Sequence, residues 1–283
     1  MINASVIDAL EQIDEHDTAK KLRDCATYVK ITECPTCGAH ITGANFCRQR
    51  TCMICAWRRQ ARFRVDMLRI LDRLDKPDTA YRLITLTVRN CAYTDLGESL
   101  NDMLRGFSKL TQRAAWRKCV DGFVRGVEVT YNNEQRTWHP HIHIIALPKQ
   151  YISIRKIRQL WIDIMHLDYN PQIDIRPITD KMAVAETLKY ALKYNFTKDG
   201  LIDPQVLKIM MSALRNRRLI SFGGIFKSVK AALKIEDIDK QDLTDSDYDN
   251  HPCKYCNSHV QDAIYQFDVS GGIYRLYNPY DFM

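Results

Sequence analysis

The chain has 283 residues, enough for one large domain or two smaller ones, and its 46% hydrophobic content is ordinary for a protein with a buried core. No apolar run approaches the length that spans a bilayer and no apolar signal-peptide core opens the chain, so a membrane partner is excluded and a reducing cytoplasm is expected. The formal charge of +7, from 41 Lys and Arg against 34 Asp and Glu, is too moderate to assign a nucleic-acid partner by itself.

Taken in order, residues 4–28 read as a polar amphipathic helix with Val6, Ile7, Leu10 and Ile13 on its apolar face. The cysteines follow: Cys34-Pro-Thr-Cys37-Gly38, then Cys47, then Cys52-Met-Ile-Cys55. In a reducing compartment, paired cysteines read as metal ligands rather than disulfides. Two Cys-x-x-Cys pairs at this separation fit a four-thiolate zinc site of Cys34, Cys37, Cys52 and Cys55, with Cys47 as an alternative ligand. Four thiolates leave no open position, so the expected role is structural. A helix over residues 56–75 follows, buried through Phe63, Met67, Ile70, Leu71 and Leu74. Arg48, Arg50, Arg58, Arg59, Arg62 and Arg64 fall in one span without an acid between them, the footprint of phosphate binding. Zinc and arginines together suggest a small DNA-facing module.

Residues 81–88 read as a strand, 96–118 as a helix, and 123–131 and 138–147 as two strands of an antiparallel hairpin. Residues 153–166 read as a helix capped by Ser153, and 173–178 as another strand. Thr179 or Asp180 would cap a further helix running to about residue 194. The resulting order predicts an α+β fold with the ferredoxin-like split-βαβ pattern. Residues 205–218 look helical, the tract 236–249 with seven acids and one lysine reads as a flexible linker, and Cys253 and Cys256 offer a second possible zinc site that His259 or His251 could join or that Cys47 could complete. The expected organisation is a zinc and basic module over 1–78, a core over 79–198, and a helical extension with the acidic linker and last Cys-x-x-Cys over 199–283.

Two stretches carry the chemistry. In His139-Pro-His141-Ile-His143-Ile, alternation sends the three imidazoles to one face of a strand and the apolar residues to the other. Glu128, flanked by valines on the partner strand, is costly to bury unless paired or metal-bound. Across an antiparallel pair it can reach an ion held by His141 and His143. That donor set suits Mg²⁺ or Mn²⁺ bound together with a phosphate, leaving His139 to touch substrate. In the second stretch, Glu186, Tyr190 and Tyr194 recur every four residues, on one helix face, with Lys189 and Lys193 beside them. A tyrosine near a cation can attack a phosphodiester, and a carboxylate one turn away can take a proton.

These stretches, with Leu83-Ile-Thr-Leu-Thr-Val-Arg-Asn90, Trp138-His-Pro-His-Ile-His-Ile-Ile145 and Glu186-Thr-Leu-Lys-Tyr190 in that order, resemble the replication initiators of rolling-circle plasmids in the HUH endonuclease superfamily. The cysteine–arginine stretch 44–59 is similar to the amino-terminal region of the branch in which a glutamate precedes the tyrosine by four residues. The resemblance covers roughly residues 34–230. It implies an RRM-like HUH core in the bacterial cytoplasm, His141, His143 and Glu128 as metal ligands, Tyr190 as nucleophile, and Glu186 assisting hydrolysis at termination. Implied partners are the plasmid origin DNA, single-stranded or hairpin, and a host helicase and polymerase; Arg48, Arg50, Arg58, Arg59, His139, Lys189 and Lys193 are candidate DNA contacts. A relaxase or single-tyrosine transposase of the same superfamily is one alternative. Others are a histidine-triad nucleotide hydrolase, which would leave Glu186 and Tyr190 idle, and a non-catalytic zinc DNA-binding protein.

Overall fold

The computed structural model describes residues 2–38, 40–77, 80–178, 202–235, 256–259, 261–268 and 273–276. In chain order its first elements are α1 (Ile2–Glu11), α2 (His16–Arg23), β1 (Tyr28–Glu33), β2 (His40–Ala44) and α3 (Met53–Leu74). Then come β3 (Arg82–Thr87), β4 (Cys91–Ala92), α4 (Leu96–Gln112), α5 (Ala114–Cys119), β5 (Val120–Asn132) and β6 (Thr137–Pro148). The last are α6 (Ile154–Met165), β7 (Ile173–Pro177), α7 (Pro204–Leu214), β8 (Ile220–Gly224), α8 (Ile225–Ala232), β9 (Gln261–Asp268) and β10 (Ile273–Leu276). Among the described residues no helix is long and apolar enough to cross a membrane. The fold is α+β, and among the described residues every strand pair is antiparallel.

Contacts divide the chain into Met1–Cys55 with Asp242–Met283, and Ala56–Gln241, where the sequence reading placed its cuts at 78 and 198. In the first unit, the single helix expected over 4–28 is two. Asp14 takes a left-handed φ of 61° between them, and the helical path ends near Asp24. Tyr28 already belongs to β1, because Tyr-Val-Lys-Ile-Thr-Glu is rich in β-branched residues and pairs along its whole length with β9 and from Val29 to Glu33 with β2. The sheet order is β10-β9-β1-β2. The extension expected to be helical therefore ends in strands: Ile264, Tyr265 and Phe267 suit a pleated surface, and β9 fills the edge of β1 that β2 leaves open. The acidic tract 236–249 lies outside the described residues.

The second unit is built on a sheet of order β7-β3-β6-β5-β8, with β4 pairing to β6 off that path. Two crossovers shape it: α4 and α5 link the β3–β4 segment to β5, and α6 links β6 to β7. Helix α4 buries Leu96, Leu100, Met103, Phe107 and Leu110, spaced three and four apart, and α6 buries Ile157, Trp161 and Ile164. The helix expected over 96–118 breaks at Arg113, whose extended backbone (φ −64°, ψ 137°) separates α4 from α5. Ser153 caps α6 as expected, accepting a hydrogen bond from the Lys156 amide, and His166 closes it in a left-handed turn. Phe107, Trp116 and Phe123 meet edge to face with centroids 5.3–6.2 Å apart, joining α4, α5 and β5.

The opposite sheet face is partly covered by α3. Phe222 of β8 pairs with Val124 of β5, so both side chains share the face that carries Glu128. Phe63 of α3 lies 6.4 Å from the Phe222 ring. The five apolar residues expected to bury α3 are all buried. Between them Asp66, 5% exposed, is flanked by Arg62 at 3.6 Å and Arg69 at 3.5 Å, so part of the basic tract neutralises an acid of its own helix.

At the end of β8, Gly224 has φ 56° and ψ −141°, and a Cβ there would stand 2.0 Å from the Asp121 carbonyl oxygen. Gly224→Ala is expected to destabilise the fold by about 2 kcal/mol or more, from backbone strain plus overpacking. Denaturant unfolding measures this, and an unchanged midpoint would show that the β8–α8 corner is not held as described.

Candidate functional site

The site grows out of three neighbouring strands. Strand β6 sends His139, His141 and His143 to one face, while Ile142 and Ile144 are fully buried on the other. On one side β5 sets Glu128 opposite His141 and Gly126, which has no side chain, opposite His143. On the other side β3 sets Thr85 opposite His143 and Thr87 opposite His141. A carboxylate, two imidazoles and two hydroxyls thus share one patch of sheet. The strand's far end is fixed by the Trp138 indole, which donates to the Tyr93 carbonyl at 2.9 Å, and the Trp161 indole donates to the Thr87 carbonyl at 2.9 Å.

Glu128 is the buried member, with 7% of its side chain exposed against 13% for His141 and 22% for His143. One of its oxygens, Oε2, lies 3.6 Å from His141 Nε2 and 3.3 Å from His143 Nε2. The Nδ1 atoms are engaged elsewhere. His141 Nδ1 stands 3.2 Å from the His139 carbonyl oxygen, and His143 Nδ1 stands 3.1 Å from the Thr85 hydroxyl. A carbonyl can only accept, so His141 carries a proton on Nδ1, and whenever Nε2 is bare the ring turns a lone pair toward Glu128. Two acceptors facing each other in a buried place repel unless a cation, a proton or a metal ion, sits between them. Pinning Nδ1 so that Nε2 is offered is how metal-binding histidines are oriented. The carboxylate oxygen and the two ring nitrogens lie within 4.8 Å of one another. The donor set therefore fits a divalent ion with positions left for a phosphate.

His139 stands outside that cluster, its ring 5.2 Å from that of His141. Burial first, and the neighbouring His141 second, hold it below the ordinary imidazole value. Glu186 and Tyr190, with Tyr194, Lys189 and Lys193, lie outside the described residues.

The cysteines group differently from the expected set. Cys52 and Cys55 converge with Cys25 and Cys47, while Cys34 and Cys37 converge with Cys256. The reason is the length of β1. Its six residues extend about 20 Å, separating Cys25, just before the strand, from Cys34, just after it. One ion cannot draw ligands from both ends, so Cys34 and Cys37 do not share a site with Cys52 and Cys55. In the first group, Cys25 lies 3.6 Å from Cys55 and 3.5 Å from Cys52, Cys47 lies 3.7 Å from Cys55, and the Cys47 amide donates to Cys25 Sγ at 3.4 Å. Hydrogen bonding from Ser258, side chain first and then backbone, lowers the Cys256 thiol to about 6. Cys253 lies outside the described residues. Of the candidate DNA contacts, Arg48 is exposed with a left-handed φ of 59°, Arg50 is half-buried, and Arg58 and Arg59 are half-buried on α3.

Two participants, Thr85 and Cys25, and one grouping escaped the sequence reading. Thr85 was legible as a polar residue on the alternating face of a strand, but its partner was not. Cys25 sits nine residues before Cys34, without a second cysteine near it. The grouping of Cys256 with Cys34 joins residues 222 apart.

The family described as Replication protein matches residues 38–274. The chain is 27% identical over 267 residues to a Protein rep of Streptococcus pneumoniae, covering 88% of this chain and 83% of the relative. It is 32% identical over 259 residues to a Protein rep of a Bacillus species, covering 80% and 83%, and 31% identical over 194 residues to a Replication protein of Staphylococcus aureus, covering 62% and 82%. No solved structure matches the chain.

Thr85→Val keeps the β-branched shape and removes the partner of His143 Nδ1. It is expected to weaken Mn²⁺ binding roughly 10–100-fold, the usual cost of losing such a support. Titration followed by electron paramagnetic resonance reads the affinity, and wild-type affinity in the variant would show that Thr85 plays no part.

Proposed function

The chain belongs to the replication protein family, and from that premise we propose that it initiates plasmid rolling-circle replication by nicking DNA at the double-strand origin. The observation that carries the chemistry is buried Glu128 facing the Nε2 atoms of His141 and His143 while their Nδ1 atoms are tied to protein. The strand order β7-β3-β6-β5, with helical crossovers between β3 and β5 and between β6 and β7, supports a ferredoxin-like HUH core.

Glu128, His141 and His143 would hold Mg²⁺ or Mn²⁺. Bound there, the cation would polarise the scissile phosphate and offset its developing charge. His139, at the edge of the site, contacts the DNA strand. The Tyr190 phenol gives up its proton to solvent as its oxygen attacks phosphorus, the bond to the 3′ oxygen breaks, and that oxygen takes up a proton. The products are a 5′-phosphotyrosine link and a free 3′-OH, from which a host polymerase extends while a helicase opens the duplex. At termination Glu186 takes a proton from water, which hydrolyses the link and frees the protein. Lys189, Lys193, Arg48, Arg50, Arg58 and Arg59 meet the phosphates. The Cys25, Cys47, Cys52 and Cys55 sulfurs, all within 4.8 Å of one another, would together hold a structural zinc ion.

The test is incubation of the full chain with origin single-stranded DNA and Mn²⁺, followed by mass spectrometry of the peptide joined to DNA. Tyr190→Phe is expected to abolish the adduct while origin binding survives; an adduct that persists until Tyr194 is replaced would overturn the assignment. Glu186→Ala is expected to nick normally and to remain covalently attached after a round of replication, so prompt release by that variant would remove the hydrolytic role.

A further inference from the structure

The second cysteine group has no place in the nicking chemistry. Cys34 and Cys37 occupy the turn between β1 and β2, where the Gly38 amide donates to the Cys34 carbonyl at 2.9 Å and Gly38 takes a left-handed φ of 69°. That turn aims two thiols three residues apart at one point. Cys256 arrives from the other end of the chain because β9 pairs with β1 in a register that sets Gln261 opposite Glu33, the residue before Cys34. Its sulfur lies 3.4 Å from that of Cys34, and the three sulfurs lie within 4.8 Å of one another. A disulfide would need about 2.05 Å. Around tetrahedral zinc, with Zn–S about 2.3 Å, sulfurs stand roughly 3.8 Å apart. Burial does not account for the convergence either, since Cys37 and Cys256 are exposed.

We propose that the chain binds two structural zinc ions, the second held by Cys34, Cys37 and Cys256 at the opposite end of β1 from the first. This second ion clasps the strand pair β9–β10 to the amino-terminal hairpin. The inference stands apart from the nicking chemistry, because it is read as metal content without DNA.

Zinc is counted by native and elemental mass spectrometry on the reduced full chain, and again in a His141→Ala background so that an ion beside Glu128 is not mistaken for a structural one. Two zinc ions per chain are expected in both. Cys34→Ser, Cys37→Ser and Cys256→Ser should each retain one, and Cys52→Ser and Cys55→Ser should each lose the other. With Cys256→Ser, limited proteolysis should cut near residues 256–276 at a protease dose that spares the parent. One zinc ion or none in the His141→Ala chain overturns the proposal, whether or not the cysteine variants can be purified. So does a Cys256→Ser chain that still holds two.

Discussion

Glu128 and His141 face each other across a pair of hydrogen-bonded antiparallel strands, and the site exists only in that register. A slip of one residue would send Glu128 to the helix-covered face and bring Val127 or Val129 up beside the imidazoles. The rest of the second unit keeps the register where it is. Val124 and Val127 on β5, and Ile142, Ile144 and Ile145 on β6, are buried, so a slip would expose apolar surface on both faces of the sheet. The Arg125 guanidinium reinforces this, donating to the Arg218 and Leu219 carbonyls at 3.1 Å and tying β5 to the segment that leads into β8. A carboxylate almost withdrawn from water is thus held by packing that has nothing chemical to do.

The two units reach order by different means. The second has a full apolar core, with Trp116, Trp161, Met67 and Ile84 essentially inaccessible. The first leaves Tyr28, Ile264, Tyr274 and Leu276 substantially exposed on its four-stranded sheet. A sheet that buries so little of its apolar surface gains little from the hydrophobic effect. Its thiol groups sit at the two ends of β1, where cross-links would brace the sheet most effectively.

Much of the second unit was legible because its signals are local. Alternation in Thr137–Pro148 gave the histidine face, the valines around Glu128 marked a carboxylate in a buried strand, and Ser153 marked the start of α6. Glu128, His141 and His143 were expected together and are found together. The cysteine groups were not legible, because spacing along the chain suggested a partner that only strand pairing could supply. Cys34 and Cys37 are nearer in sequence to Cys52 than to Cys256, yet the length of β1 carries them away from the former and the register of β9 brings the latter home. The β1 strand itself was hidden by an amphipathic pattern running up to it from α1 and α2, whose break depends on the backbone at Asp14.

The arrangement of the sheet β10-β9-β1-β2 has a bearing on how the protein is made. Strand β1 leaves the ribosome early, while the strand that completes its hydrogen bonding lies more than two hundred residues downstream. At roughly 5–20 residues per second, that interval lasts on the order of ten to forty seconds. All of Ala56–Gln241 is synthesised within it, so the larger unit can finish folding while the amino-terminal hairpin still has an unsatisfied edge. A nascent chain stalled before residue 261 would carry the complete Glu128–His141–His143 cluster while the edge of β1 is still open, the state most exposed to pairing with a neighbour on the same polysome.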